Sequence, residues 1–173
     1  LKKYGAFGGS KSDVIEPVFD RSNGIGIVPN QSENDVTYFG FTKKISPSEF
    51  RKIVPEGNAD PATIPFVKEA IKKGKSIAPP FLNAEWIEAK KAWRVIGHEG
   101  RSRTDAMVQS GFDGEIPLDI FPARSNLRGR DITDEMKNAP FIPQDGGEAI
   151  HLKATRQNNG VIWDVKEEDI LKL

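Results

Sequence analysis

Trp93-Arg94-Val95-Ile96, followed by Gly97-His98-Glu99-Gly100-Arg101-Ser102-Arg103, is the stretch on which the reading of this chain turns. Its first four residues are the aromatic and β-branched kind that suit a strand. The next seven read as a turn carrying two glycines and two arginines. A helix is expected over Ser102–Ser110, stopped by Gly111. A strand, a Gly-containing turn and a helix N-terminus together make a cradle for an anion. The first-turn N–H groups of a helix have no partners within it, and its dipole favours negative charge there. Arg101 and Arg103 add fork-shaped donors suited to phosphate or carboxylate.

Working outward, Pro79-Pro80-Phe81-Leu82 leads into an alternating strand over Phe81–Ile87. Glu88–Ala92 is a turn, and Trp93–Ile96 returns as the second strand of a hairpin. Beyond Gly111, Glu115–Phe121 reads as another strand. Pro117 places it at a sheet edge or marks a strand start. Upstream, Val36–Phe41 is an aromatic, β-branched strand. Ser46-Pro47-Ser48-Glu49 is a helix start, with Ser46 as N-cap, Pro47 as first helical residue and Glu49 completing a capping box. A second helix is expected from Pro61 or Thr63 to Lys73, ended by Gly74, with Ile64, Val67, Ala70 and Ile71 as its buried stripe. Thr133–Met136 opens a short helix, and Glu167–Leu171 reads as a final one. Ala149–Thr155 and Val161–Val165 flank Asn158-Asn159-Gly160, which reads as a C-terminal β-hairpin. Trp86, Trp93 and Trp163 read as packing residues. Gly, Ser, Asn and Pro crowd residues 1–35, the texture of an extended arm. Residues 36–173 then form a single α+β domain.

The composition narrows the function. The chain has 173 residues, 37% of them hydrophobic and 29% charged, with a formal net charge of zero. A dedicated duplex binder carries a basic excess or stripe, so any nucleic-acid role must rest on a local patch. No run of about 18 apolar residues points to a membrane span. Cysteine is absent, which removes disulfides, thiolate metal sites and Cys nucleophiles. With His98 and His151 the only histidines, a zinc site is not expected. An opening Leu1 in place of Met fits a processed chain or a segment of a longer one.

Four landmarks in fixed order carry a resemblance: Pro80-Phe81-Leu82, His98-Glu99-Gly100-Arg101-Ser102-Arg103, Gly111, and Ile116-Pro117-Leu118. Over Pro79–Phe121, a quarter of the chain, this order resembles the ParB/sulfiredoxin-like superfamily. ParB-type domains run from a Pro-led strand through a Gly-Glu-Arg-Arg-x-Arg box and a Gly-ended helix to a strand bearing a central Pro. Glu99, Arg101 and Arg103 match the Glu, second Arg and last Arg of that box. His98 stands for its Gly and Gly100 for its first Arg. The resemblance implies a mixed sheet with short helices, and a turn that holds nucleotide phosphates. Members of the superfamily use CTP or ATP, and some are described as nucleases. A second phosphate motif, a helix-turn-helix and the sulfiredoxin Cys have no counterpart here.

The resemblance and the residues together give a set of expected roles. Gly97, Gly100, Arg101, Ser102 and Arg103 would bind phosphate, and the glycines would let the backbone approach closely. Glu99 and His98 are the candidate catalytic pair, and Glu99 would also hold Mg²⁺ brought with a nucleoside triphosphate. Arg124, Arg128 and Arg130 are candidate additional anion contacts. The expected function is therefore a phosphate- or nucleotide-binding domain, with hydrolysis or phosphotransfer in scope. A phage or mobile-element origin is expected, in a host cytoplasm or a virion. The alternatives are a processed virion structural protein that keeps the fold without activity, and a ParB-like nuclease. Partners would be the nucleotide, and DNA or other virion proteins through the N-terminal arm. A plainer reading pairs Arg101 and Arg103 with Asp105 and Glu99 on a solvated helix start.

Overall fold

The computed structural model describes residues 14–21, 23–26, 39–55, 57–123, 132–154 and 161–162. The elements run β1 (Val18–Phe19), β2 (Phe39–Ile45), α1 (Pro47–Ile53), α2 (Thr63–Lys72), β3 (Ser76–Ile77), β4 (Phe81–Ile87), β5 (Ala92–Glu99), α3 (Arg101–Gln109), β6 (Ile116–Pro122), α4 (Asp134–Lys137), β7 (Lys153–Ala154) and β8 (Val161–Ile162). The expected α+β class is therefore present, with short helices and a mixed sheet.

The sheet is ordered β5-β4-β6-β2-β7. Its centre is built by the Pro79–Phe121 stretch. β4 and β5 form the expected antiparallel hairpin, and α3 carries the chain across to β6, which lies parallel to β4. Pro117 is the second residue of β6 and pairs with Lys44. Although β6 lies between β4 and β2, β4 pairing begins only at Asp119, so the proline marks the strand start. β2 joins β6 antiparallel.

The sequence patterns explain the helix ends. Ser46 Oγ accepts the Glu49 N–H at 3.2 Å, and the Glu49 carboxylate reaches back to the Ser46 N–H, closing the capping box around Pro47. Gly74, at φ +74°, ends α2 as expected, and Gly111, at φ +87°, ends α3. Thr133 caps α4 through the Met136 N–H. The core gathers Trp93, Phe41, Phe50, Phe141 and Leu82, all fully buried. Each such side chain contributes about 1.5–3 kcal/mol by leaving water. Trp93 also donates its indole N–H to Met136 O at 2.8 Å, so its one polar atom is satisfied.

Three expectations need correction. β5 continues through Gly97, His98 and Glu99 rather than ending at Ile96, so the turn is reduced to Gly100. The pairing partners explain the extension: Phe81, Leu82 and Asn83 offer ladder groups opposite Glu99, His98 and Gly97. α3 starts accordingly at Arg101, one residue before the expected Ser102. The C-terminal hairpin does not form between β7 and β8. Both pair antiparallel with β2, Lys153 against Lys44 and Val161 against Gly40. Two strands antiparallel to the same neighbour run in the same direction and are not the arms of a hairpin. Residues 158–160, the expected turn, lie outside the described residues, as do Trp163 and the helix expected over Glu167–Leu171.

The part of the arm that is described packs on the domain. β1 pairs parallel with β3, and Ile25 bridges to Ile77. Between them Arg21 reaches Asp119 on β6 through Nε at 2.7 Å and Nη2 at 2.8 Å. Residues 14–21 and 23–26 thus belong to a strap held on β3 and, through Arg21, on β6.

Candidate functional site

The strap, α2 and the β5–α3 junction enclose a cleft of about 430 Å³. The β5–α3 wall supplies His98, Glu99, Gly100, Arg101, Ser102 and Arg103. Six of the seven residues of Gly97–Arg103 are therefore brought together. Gly97 is the exception: it sits in β5 opposite Asn83 and does not line the cleft. Arg124, Arg128 and Arg130 lie outside the described residues.

A β-bulge decides which β5 side chains face the helices. Val95 pairs with Ala84 and Gly97 with Asn83, so Ile96 is the extra residue. The extra residue shifts the alternation by one, and His98 keeps the face of Trp93 and Val95. There its ring meets Phe50 of α1 edge-on, with centroids 6.2 Å apart. With regular pairing His98 would turn to the opposite face.

Gly100 makes the sharp entry into α3. Its φ is +130°, and a Cβ there would lie 2.4 Å from Cβ of Pro80. Pro80 and Gly100, two of the sequence landmarks, are thus in direct contact. Thr104 N–H bonds Gly100 O at 2.8 Å, but among the described residues no side chain caps the helix start. By contrast, Asp60 occupies the α2 start, accepting the Ala62 N–H and the Thr63 hydroxyl, each at 3.0 Å. The open N-terminus of α3 therefore faces the cleft with its dipole uncompensated by a cap.

The cations are held in place from several sides. Arg101 Nη2 donates to Pro55 O and to His98 Nε2, the latter at 3.1 Å. A guanidinium only donates, so His98 Nε2 accepts and its proton sits on Nδ1. Burial, then Arg101 and Arg51, push His98 below the ordinary imidazole range. His98 is therefore neutral at pH 7. Arg103 is 4% exposed, and burial pulls its guanidinium down to about 10 while Glu99 opposes the shift. It remains charged at neutral pH. The strap crosses it at Gly26, where a Cβ would lie 1.8 Å from Arg103 Nη1. His98 Nδ1 and Arg101 Nε are buried without a hydrogen-bond partner among the described residues. Orphaned buried donors of this kind cost about 1–3 kcal/mol each until something accepts from them.

The plainer pairing is partly corrected. Asp105 bonds Arg51 at 3.1 Å rather than Arg101. Arg51 also donates to Gly57 O at 3.0 Å, shaping the loop beside Arg101. Arg51, Phe66 and Asn58 escape a reading of the sequence because they lie far from the turn and carry no motif. Glu99 is the carboxylate on the cation wall. Among the described residues no cluster of three or more His, Asp or Glu side chains forms a metal cage. A magnesium ion that arrives with phosphates needs only one or two carboxylates, and Glu99 fits that demand.

No motif singles out Asp119. It is fully buried, accepts both Arg21 bonds, and also accepts the Thr42 hydroxyl at 3.0 Å. The Asp119 carboxylate raises Arg21 above the ordinary guanidinium range. This pair ties the strap, and with it Ile25 and Gly26 at the cleft, to the central strand.

No helix among the described residues is long and apolar enough to cross a membrane. Searches against family models, curated proteins and solved structures found no match to this chain.

Proposed function

We propose that this chain is a phosphate-binding domain whose ligand is a nucleotide, held in the cleft between α2 and the β5–α3 junction. One observation carries the reading. The uncapped N-terminus of α3, Arg101 and Arg103 converge on a single cleft, with the buried Arg101 Nε still lacking an acceptor among the described residues. Phosphate oxygens accept several charge-assisted bonds at once and suit such a wall. Glu99 shares a metal ion brought with the phosphates. His98, with Nε2 engaged by Arg101, positions that guanidinium. The ParB/sulfiredoxin-like resemblance of Pro79–Phe121 supports the same site, since that superfamily uses this turn for nucleotide phosphates.

The test is titration of radiolabelled CTP, ATP and GTP, each with Mg²⁺, against wild type and Arg101→Ala. At least one should bind wild type. Loss of a hydrogen bond to a charged group, worth about 1.5–3 kcal/mol, should weaken it by roughly 10- to 100-fold in the variant. Binding of none of the three removes the proposal.

A further inference from the structure

We infer that the cleft contains a second subsite, on its α2 side, where Phe66 is the platform for the aromatic base of the ligand. This rests on the nucleotide reading above and adds to it the part of the ligand that the phosphate wall does not touch.

Phe66 is 60% exposed, the highest value among the exposed large apolar side chains of the described residues. It is not a core residue, since the buried face of α2 is made by Val67, Ala70 and Ile71. Its exposed side chain borders the cleft. Thr63, Phe66 and Val67 all line the cleft, as the i, i+3, i+4 geometry of a helix requires. A phenyl ring held open to water on a cleft wall is unfavourable until a ligand covers it.

The cleft is divided by chemistry. Its β5–α3 wall carries His98, Glu99, Arg101 and Arg103, whereas the α2 wall presents the exposed Phe66 ring beside the mostly buried Val67. A purely anionic ligand would satisfy the first and leave the second wet. A ligand with phosphates at one end and a flat ring at the other covers both. The volume of about 430 Å³ lies in the range of small-molecule sites. Stacking on Phe66 is tolerant of base identity. Asn58, also on the cleft, supplies amide donors and an acceptor for a ring edge. The Asp60 carboxylate is already engaged by Ala62 and Thr63 and leaves that role to Asn58.

The experiment measures binding of ATP, CTP, GTP and inorganic tripolyphosphate, each with Mg²⁺, to wild type, Phe66→Ala and Phe66→Trp. The exposed position lets both variants fold, and matching circular dichroism melts verify it. Phe66→Ala should weaken the bound nucleotide by about tenfold or more, the scale of base–aromatic stacking. Tripolyphosphate affinity should be unchanged. Phe66→Trp should keep the nucleotide affinity, and its extra indole emission relative to wild type should be quenched by nucleotide but not by tripolyphosphate. Nucleotide binding unaffected by Phe66→Ala overturns the inference and leaves the proposed function intact. Equal losses for nucleotide and tripolyphosphate overturn it too, because they make Phe66 a structural residue. Binding of tripolyphosphate without any nucleotide, or of neither, overturns this inference and the nucleotide reading together.

Discussion

Replacing Arg21 by Met should destabilise the whole domain, although Arg21 lies in the strap and outside the core. The Asp119 carboxylate is fully buried on the central strand and takes two bonds from Arg21, at 2.7 and 2.8 Å. Without them, among the described residues the neutral Thr42 hydroxyl at 3.0 Å remains to hold that charge. Removing one member of a buried pair costs about 3–5 kcal/mol, because the other charge stays desolvated. The Arg21 side chain is 38% exposed, so water enters part of the vacated space. The low end, about 3 kcal/mol, is therefore expected, which for a chain of this size is a fall in Tm of roughly 6–12 °C. Urea unfolding followed by circular dichroism measures it, with Asp119→Asn and the double variant completing a cycle. The cost of Arg21→Met should shrink sharply when Asp119→Asn is already present, since the buried charge is gone. A loss below about 1 kcal/mol, or the same loss in both backgrounds, refutes the claim that this pair ties the strap to the sheet.

Two further predictions concern the cleft wall. His98 is held below its ordinary pKa of 6.5 by burial, Arg101 and Arg51, so the unfolded chain binds the proton more readily. Stability should be fully present above about pH 6.5 and decline as pH falls below it, and His98→Gln should flatten that decline in melts taken from pH 5 to 7.5. Gly100→Ala should cost at least about 2 kcal/mol in chemical denaturation, because φ is +130° and the new Cβ meets Pro80 at 2.4 Å. Gly74→Ala, at φ +74° with nothing within 4 Å, should cost only about 1 kcal/mol, and equal costs would remove the special role given to Gly100.

Much of the fold is legible from local chemistry. Ser46 and Glu49 announce the start of α1, Gly74 and Gly111 the ends of α2 and α3, and the Phe81–Ile87 alternation its hairpin. In each case the signal and its effect lie within a few residues. The candidate site is legible to the same extent: Glu99, Gly100, Arg101 and Arg103 are neighbours in sequence and remain neighbours on the cleft. Local pattern misleads where strand pairing overrides it. Gly97 looks like turn material, but a strand partner at Asn83 holds it in β5. Asn158-Asn159-Gly160 looks like a hairpin, but β2 recruits both flanking strands in one direction.

The sequence by itself determined the caps of α1 and α2, the β4–β5 hairpin and the strand–turn–helix–strand succession around Gly100, because caps, glycines and period-two alternation act through neighbouring backbone. Tertiary structure alone decided which groups surround that junction. The Ile96 bulge turns His98 toward Phe50, the strap lays Gly26 against Arg103, and α2 sets Phe66 on the wall beside them. Asp119 belongs to the same class. A lone carboxylate in an apolar strand has no readable purpose until Arg21, 98 residues away, arrives to meet it. The physical reason is common to all of these. Burial and electrostatic pairing act through space, and a single chain carries no local mark of which distant residues will share a surface.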